Sequence, residues 1–205
     1  MAIIWLYSFG QNQGLTEIAL TGTFANYMRA LEPLYLGIFW KSIIVAGITT
    51  LICLVVGFPV ALAITFASEK TKAWLLLLIM LPFWTNLLVR NYAWLIILRE
   101  DGLVSQTANA IWPFGPVQLL YNDAAILIGL VYSFLPFMIL PIYAGFEKFD
   151  WRLLEAAYDL GANRRRALTR VIVPLAMPGI IAGSMLVFIP SLGSFVTAAI
   201  LGGGK

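Results

Sequence analysis

The chain has 205 residues, of which 61% are hydrophobic and 11% charged, with one cysteine, no histidine and a formal net charge of +3. So few charges cannot clothe so large an apolar fraction in water, and a mean hydropathy of +0.90 agrees, which excludes a soluble enzyme, a secreted disulfide scaffold and a disordered tail. Cys53 alone permits neither an intrachain disulfide nor a cysteine metal cluster, the absence of histidine removes the commonest general base and metal ligand, and +3 is too small to indicate a nucleic-acid partner.

In chain order, Ala2–Phe9 is apolar but far too short to cross a bilayer, and it lacks the basic start and cleavage site of a signal peptide. It reads as the remnant of a span (1–9) whose beginning is missing. Residues 42–67 form 26 residues without a charge, and 73–98 form another 26 interrupted only by Arg90. Residues 124–146 give a third span. The uncharged stretch 171–201 is too long for one straight crossing, and Pro190, Ser191, Gly193 and Ser194 divide it into a span over 171–189 and a short re-entrant or surface piece, Phe195–Leu201. Backbone in lipid must satisfy its hydrogen bonds within its own segment, and the alternation a membrane barrel needs is absent. The expected fold is all-α: a polytopic helical membrane protein with about four full transmembrane helices.

Lys70, Lys72, Lys148, Arg152, Arg164, Arg165, Arg166 and Arg170 fall on one side of these spans, against Arg29, Lys41, Arg99 and Lys205 on the other. The excess marks the cytoplasmic face, so the loop 147–170 is cytoplasmic. Within it, Asp150 is placed to cap a helix from Trp151 to Leu160. Leu153, Leu154, Ala157 and Leu160 share a face, and Gly161 supplies the left-handed residue that ends the helix. A second short helix, Ala162 to Arg170, then leaves at an angle. Ala156, Ala157 and Gly161 allow another backbone to approach, which suits a groove on a cytoplasmic partner.

The run Glu155-Ala156-Ala157, three residues, Gly161, followed by Val171-Ile172-Val173-Pro174, resembles the coupling loop of permease subunits of binding-protein-dependent ABC importers. Valines replace the isoleucine and leucine of that family's ending. Pro82-Phe-Trp-Thr-Asn86, Val89-Arg90-Asn91-Tyr92, Gly129-Leu-Val-Tyr132, Leu135-Pro-Phe-Met138, Pro178-Gly-Ile-Ile-Ala-Gly183 and Leu31-Glu-Pro-Leu-Tyr35 resemble its spermidine/putrescine-type branch. The resemblance runs from about residue 24 to 205. It implies a single permease transmembrane domain, 1–205, in a bacterial cytoplasmic (inner) membrane. It also implies three protein partners: a cytoplasmic ATP-binding subunit, a second permease subunit and an extracytoplasmic solute-binding protein. By the same resemblance Glu155, Ala156, Ala157 and Gly161 contact the ATP-hydrolysing subunit, the cargo is a polyamine or another small solute, and the chain lacks the family's first and last spans.

Other residues keep two roles open. Arg90, about 26 Å along its segment at 1.5 Å per residue, can snorkel to the outer surface or serve a pathway or inter-subunit contact, with Asn86 one turn earlier as its polar neighbour. Trp84 and Tyr132 suit either an interfacial belt or a cation-guiding aromatic surface. Gly179 and Gly183 offer a small-residue face for internal packing or for the second permease. The ending Leu201-Gly-Gly-Gly-Lys205 lacks the first glycine and the following hydroxyl of a phosphate-binding loop. No nucleophile–base pair, metal set or cofactor motif is present, and without an ATP site energy must come from another chain or from an ion gradient. An ion-coupled secondary transporter is the rival class, but it usually needs carboxylates within the spans, and every Asp and Glu here lies in a loop.

Overall fold

The computed structural model describes residues 8–12, 18, 19, 22, 24–102, 104–107 and 119–202. Most of Ala2–Phe9 and the Gly203–Lys205 ending lie outside these residues. The chain divides into two compact units, Met1–Ile44 and Val45–Lys205.

In the first unit, β1 (Gln11–Asn12) and β2 (Ile18–Ala19) form a two-residue antiparallel ladder. The Asn26 amide donates to the Ser8 and Gly10 carbonyls, and the rings of Phe9, Phe24 and Tyr27 cluster beside it. Helix α1 (Ala25–Ala30) ends ahead of the Glu32–Pro33 pair, and Pro33 opens helix α2 (Pro33–Thr65), as expected of a residue that fixes φ and lacks the N–H that a first turn leaves unpaired. The sequence reading began this span at Ser42 because Lys41 ends the uncharged run; the backbone has no reason to stop there. At 33 residues α2 is about 50 Å long, well beyond the roughly 30 Å of a hydrocarbon core.

In the second unit, helix α3 (Glu69–Met80) begins on Ser68, whose hydroxyl accepts from the Thr71 N–H. It tightens into a 3-10 turn, Leu81–Trp84, and stops; helix α4 (Leu87–Leu98) then leaves at 94°. The uninterrupted span expected over 73–98 is therefore corrected to a bent pair. Pro82 withholds an N–H, Thr85 Oγ1 donates to the Pro82 carbonyl at 2.7 Å, and Asn86 Oδ1 accepts from the Leu88 N–H at 2.8 Å, so the break is written in side chains that end one helix and start the next.

Helix α5 (Asp123–Glu147) starts on Asn122, which caps Ala125, and is the most buried of the long helices. Helix α6 (Arg152–Asp159) follows, and then α7 (Arg164–Ala167), a wide turn (Leu168–Ile172) and α8 (Val173–Leu192) form one continuous span, Arg164–Leu192. The second short surface helix expected over 162–170 is thus the N-terminal start of this span. Asn163 caps it through the Arg166 N–H, and the wide turn relieves the clash that Pro174 would otherwise make with the carbonyl four residues back. After Gly193 and Ser194, helix α9 (Phe195–Leu201) turns back into the bundle, with Thr197 and Leu201 buried. Pro33–Thr65, Asp123–Glu147 and Arg164–Leu192 are each long and apolar enough to cross a membrane, and the bent pair makes a fourth crossing if its halves count together.

Helices that are apolar all round give no stripe by hydrophobicity, so residue size decides which face turns inward. On α2 the buried positions are Ala46, Thr49, Cys53, Gly57, Ala61 and Ile64; on α8 they are Ala176, Gly179, Gly183, Val187 and Ser191. Both rows repeat every three or four residues, and both glycine-bearing rows lie against α5. A Cβ at Gly57 would stand 3.1 Å from Met138 Cγ, and one at Gly179 would stand 2.6 Å from the Pro141 carbonyl oxygen.

Candidate functional site

Two regions carry functional geometry. The first is the loop 147–170, for which a cytoplasmic position is expected from its basic residues. Asp150 Oδ1 accepts from the Arg152 N–H at 3.1 Å and so starts α6. At its other end Gly161 has φ +80°, the Gly161 N–H bonds the Tyr158 carbonyl and the Ala162 N–H bonds the Ala157 carbonyl, a closed C-terminal turn that requires a left-handed residue. Trp151 anchors the helix by tilted and edge-on ring contacts with Phe66, just past the end of α2, and with Phe149, at centroid distances of 4.7 and 4.6 Å. Leu154 packs on the bundle core from beneath.

Glu155, Ala156 and Gly161 are exposed and Ala157 is half-buried. Leu153, Leu154, Ala157 and Leu160 do not share one fate as their spacing suggested. Leu154 and Ala157 face the bundle, whereas Leu153, Tyr158 and Leu160 are exposed, Leu160 at 90%. Leu160 falls beyond the last helical residue, which carries it off the face that the periodicity assigned. The result is a short, well-capped helix presenting two carboxylates, Glu155 and Asp159, and the large side chains of Leu153, Tyr158 and Leu160 to the surroundings.

The second region is a cavity of about 470 Å³ at the elbow between α3 and α4, walled by Phe83, Phe134, Phe137, Pro190 and Val196 and reached by Arg90, Thr85, Ser133, Ser194 and Thr197. Arg90 is 8% exposed. Its Nη2 donates to the Thr85 carbonyl at 3.0 Å and to that of Phe83 at 3.5 Å, so the guanidinium binds the carbonyls freed where the 3-10 turn ends. It does not snorkel within this fold. Asn86 does not pair with it through side chains: the Asn86 amide oxygen is the cap of α4, and the two residues meet only through the Arg90 N–H and the Asn86 carbonyl.

Of the four pathway or interface candidates, only Arg90 lines the cavity. Trp84 is 77% exposed on the surface of the elbow, and Tyr132 stands edge-on to Trp94 at 5.3 Å. Gly179 and Gly183 sit against Pro141, Ile142 and Met138 of α5. Sequence reasoning passed over Asn91 and Thr197, which are fully buried and joined at 3.3 Å across 106 residues of chain, and over Ser194, whose hydroxyl reaches Thr197 Oγ1 at 3.2 Å. A signal existed: Asn91 is a second polar residue beside Arg90 inside an apolar run, and such a side chain needs a buried partner. Among the described residues no cluster of acids and cysteine could hold a metal ion.

A bundle of apolar helices with small-residue seams, a broken helix facing a polar-tipped cavity, and a capped helix standing off one end define a membrane transport component. Residues 33–205 match the family described as the binding-protein-dependent transport system inner membrane component, and the chain belongs to that family. It is 43% identical over 204 residues to the spermidine/putrescine transport system permease protein PotB of Haemophilus influenzae, covering 99% of this chain and 71% of that protein. It is 40% identical over 199 residues to the protein of the same name from Escherichia coli, covering 97% and 72%. The inner membrane ABC transporter permease protein YdcU of Escherichia coli is 33% identical over 193 residues, covering 88% and 62%. The chain is accordingly a multi-pass inner-membrane permease component of an ABC importer.

Proposed function

We propose that this chain is the polyamine permease of such an importer, forming part of the translocation pathway for spermidine or putrescine. The observation that carries this reading is the 43% identity, over nearly the whole chain, to a permease named for those solutes. The exposed rings of Trp84 and Tyr132 suit a flexible polycation, because ammonium groups are attracted to aromatic faces. ATP is hydrolysed by a separate cytoplasmic subunit. Helix α6 is the contact with it: Glu155, Ala156, Ala157 and Gly161 let that subunit's groove close around the helix, and the Trp151–Phe66 contact passes its movement to α2. A second permease completes the pathway, and an extracytoplasmic binding protein delivers the solute.

ATP-dependent uptake of labelled spermidine or putrescine into vesicles holding the full complex tests the substrate. Uptake is expected to saturate and to be competed by either polyamine; uptake indifferent to competing polyamines overturns the substrate and leaves the permease family standing. Capture of the ATP-binding subunit, expected to be lost in Gly161→Trp, tests the docking helix separately.

A further inference from the structure

We infer that α9 is a lid on the elbow cavity, hinged at Gly193–Ser194 and latched onto α4 and α5, which opens and closes as the importer works. The inference rests on the reading above that this chain forms part of the translocation pathway. Pro190, Gly193, Ser194, Val196 and Thr197 all line the cavity, so one of its walls belongs to the end of α8 and to α9, and the elbow and α5 supply the rest. Helix α9 follows the end of the span Arg164–Leu192 that is remote from the loop 147–170. On the orientation expected from the basic residues it lies toward the outside, where cargo enters.

The joint is built to bend. Gly193 and Ser194 interrupt the helix, Pro190 withholds an N–H from the last turn of α8, and Ser191 Oγ donates to the Val187 carbonyl at 2.6 Å in competition with the backbone ladder. Few contacts then hold α9 down. Of its described side chains only Thr197 and Leu201 are fully buried. Thr197 meets Asn91 through hydrogen bonds of 3.3 and 3.5 Å, longer than the usual range. Leu201 seats in a notch of α5: a Cβ at Gly129 would collide with Leu201 Cδ1 and stand 3.1 Å from Thr197 Cγ2, so both latch side chains occupy space that only a glycine leaves. At the far end the Leu201 carbonyl accepts from the Tyr121 N–H at 3.0 Å, and Tyr121 holds φ +60°, a left-handed conformation that a side chain disfavours. Lifting α9 therefore uncovers two side chains and relaxes a strained residue, while the seam between α5 and α8 stays shut. The latch also senses the elbow. Asn91 is next in the chain to Arg90, whose guanidinium holds the Phe83 and Thr85 carbonyls, so a change of elbow angle pulls on the Asn91–Thr197 pair.

The test is thiol accessibility in the full importer complex, held in vesicles and shown to hydrolyse ATP. Thr197→Cys, a change of little volume, puts a thiol beneath the closed lid, and a membrane-impermeant maleimide is added from the outer side. The wild type, whose one cysteine, Cys53, is buried, gives the background. Ala125→Cys, equally buried at the start of α5, guards against general loosening. Labelling of Thr197→Cys is expected to be slow at rest and to rise about tenfold when ATP and the binding protein cycle the complex, with Ala125→Cys unchanged. Ala198→Cys, half-buried on α9 and outside the latch bonds, should respond in the same direction and serves if Thr197→Cys melts early. Labelling of α9 whose rate ATP does not change, fast or slow, overturns the lid and leaves α9 a fixed plug. So does labelling of Ala125→Cys that rises in step. The readout needs no identified cargo: ATP-dependent labelling in a complex that fails to take up polyamines overturns the substrate and keeps the lid.

Discussion

Along the seam between α5 and α8, glycines bring two backbones into contact; at the elbow between α3 and α4, polar side chains end one helix and begin another at 94°. Both regions lie in chain that is almost uniformly apolar, and hydropathy alone does not tell them apart. The seam is repetitive and close-packed, so a side chain added at Gly179 or Gly183 meets the atoms of α5. The elbow concentrates its hydrogen bonds in Thr85, Asn86 and Arg90, so a few groups decide its geometry. A transporter needs both, a rigid element to carry movement and a jointed one beside the cavity, and the difference between them can be broken or sharpened one residue at a time.

Breaking the seam should have the largest effect. A Cβ at Gly179 would stand 2.6 Å from the Pro141 carbonyl oxygen and 3.0 Å from Ile142 Cα, both backbone atoms that cannot rotate away. Gly179→Val therefore has to push α8 off α5, and a loss of about 3 kcal/mol is expected, at the upper end of the range for overpacked interiors. A fall in melting temperature and in folded yield from detergent checks this. Gly145, whose Cβ would meet only Gly179 Cα at 4.0 Å, accepts alanine at much smaller cost and serves as the control.

The next effect lies on the joint between the elbow and α9. Asn91 and Thr197 are fully buried and exchange two long hydrogen bonds, Asn91 Nδ2 to Thr197 Oγ1 at 3.3 Å and Thr197 Oγ1 to Asn91 Oδ1 at 3.5 Å. Asn91→Ala leaves the Thr197 hydroxyl a donor without its acceptor, with Ser194 still donating to it, and a loss of about 1–3 kcal/mol is expected from the unpaired donor. Asn91→Ala combined with Thr197→Val should recover part of that loss, since neither partner is then left without the other; no recovery would mean that the bond is incidental to the docking of α9.

A third, smaller effect separates a cap from a pathway residue. Asn86 was expected to act with Arg90, but its side chain is spent on the Leu88 N–H. Asn86→Ala should cost about 1 kcal/mol, and Asn86→Ser or Asn86→Asp should restore it, because each supplies a capping oxygen. Transport that follows stability through this series assigns Asn86 to the joint; transport lost in the serine variant at normal stability assigns it to the pathway.

How far the sequence announced this arrangement depends on what each feature is made of. The apolar runs declared the spans because burial in lipid needs length and little else, and Gly161 declared the end of α6 because a left-handed residue leaves its mark in the residue type. The bend at Pro82–Asn86 was legible in its residues, since proline, threonine and asparagine within five positions are helix-ending and helix-starting types, but the hydropathy of 73–98 outvoted them. The cavity was not legible, because Ser133, Thr197 and Arg90 meet only through the packing of α4, α5 and α9, and uniformly apolar helices carry no periodicity that fixes which face turns inward. The small-residue rows on α2 and α8 were the readable substitute, and only the α8 pair, Gly179 and Gly183, was singled out.

The smallest expected effect on stability is at Leu160, and there the contrast between fold and function is sharpest. It is 90% exposed and lies beyond the last turn of α6, so Leu160→Ser removes almost no buried contact and should change stability by no more than about 0.5 kcal/mol. An apolar side chain held in the open beside a fixed glycine turn is useful only to something that covers it, and exposed apolar groups at the centre of an interface commonly contribute most of its affinity. If α6 is the docking helix, the serine variant should bind the ATP-binding subunit about tenfold more weakly while melting with the wild type. Gly161→Ala, which strains the left-handed turn without covering new surface, should show a smaller loss. Capture of the subunit from solution, measured beside the melting temperature of each variant, decides it: unchanged capture by Leu160→Ser would move the contact to the Leu153 and Tyr158 side of the helix.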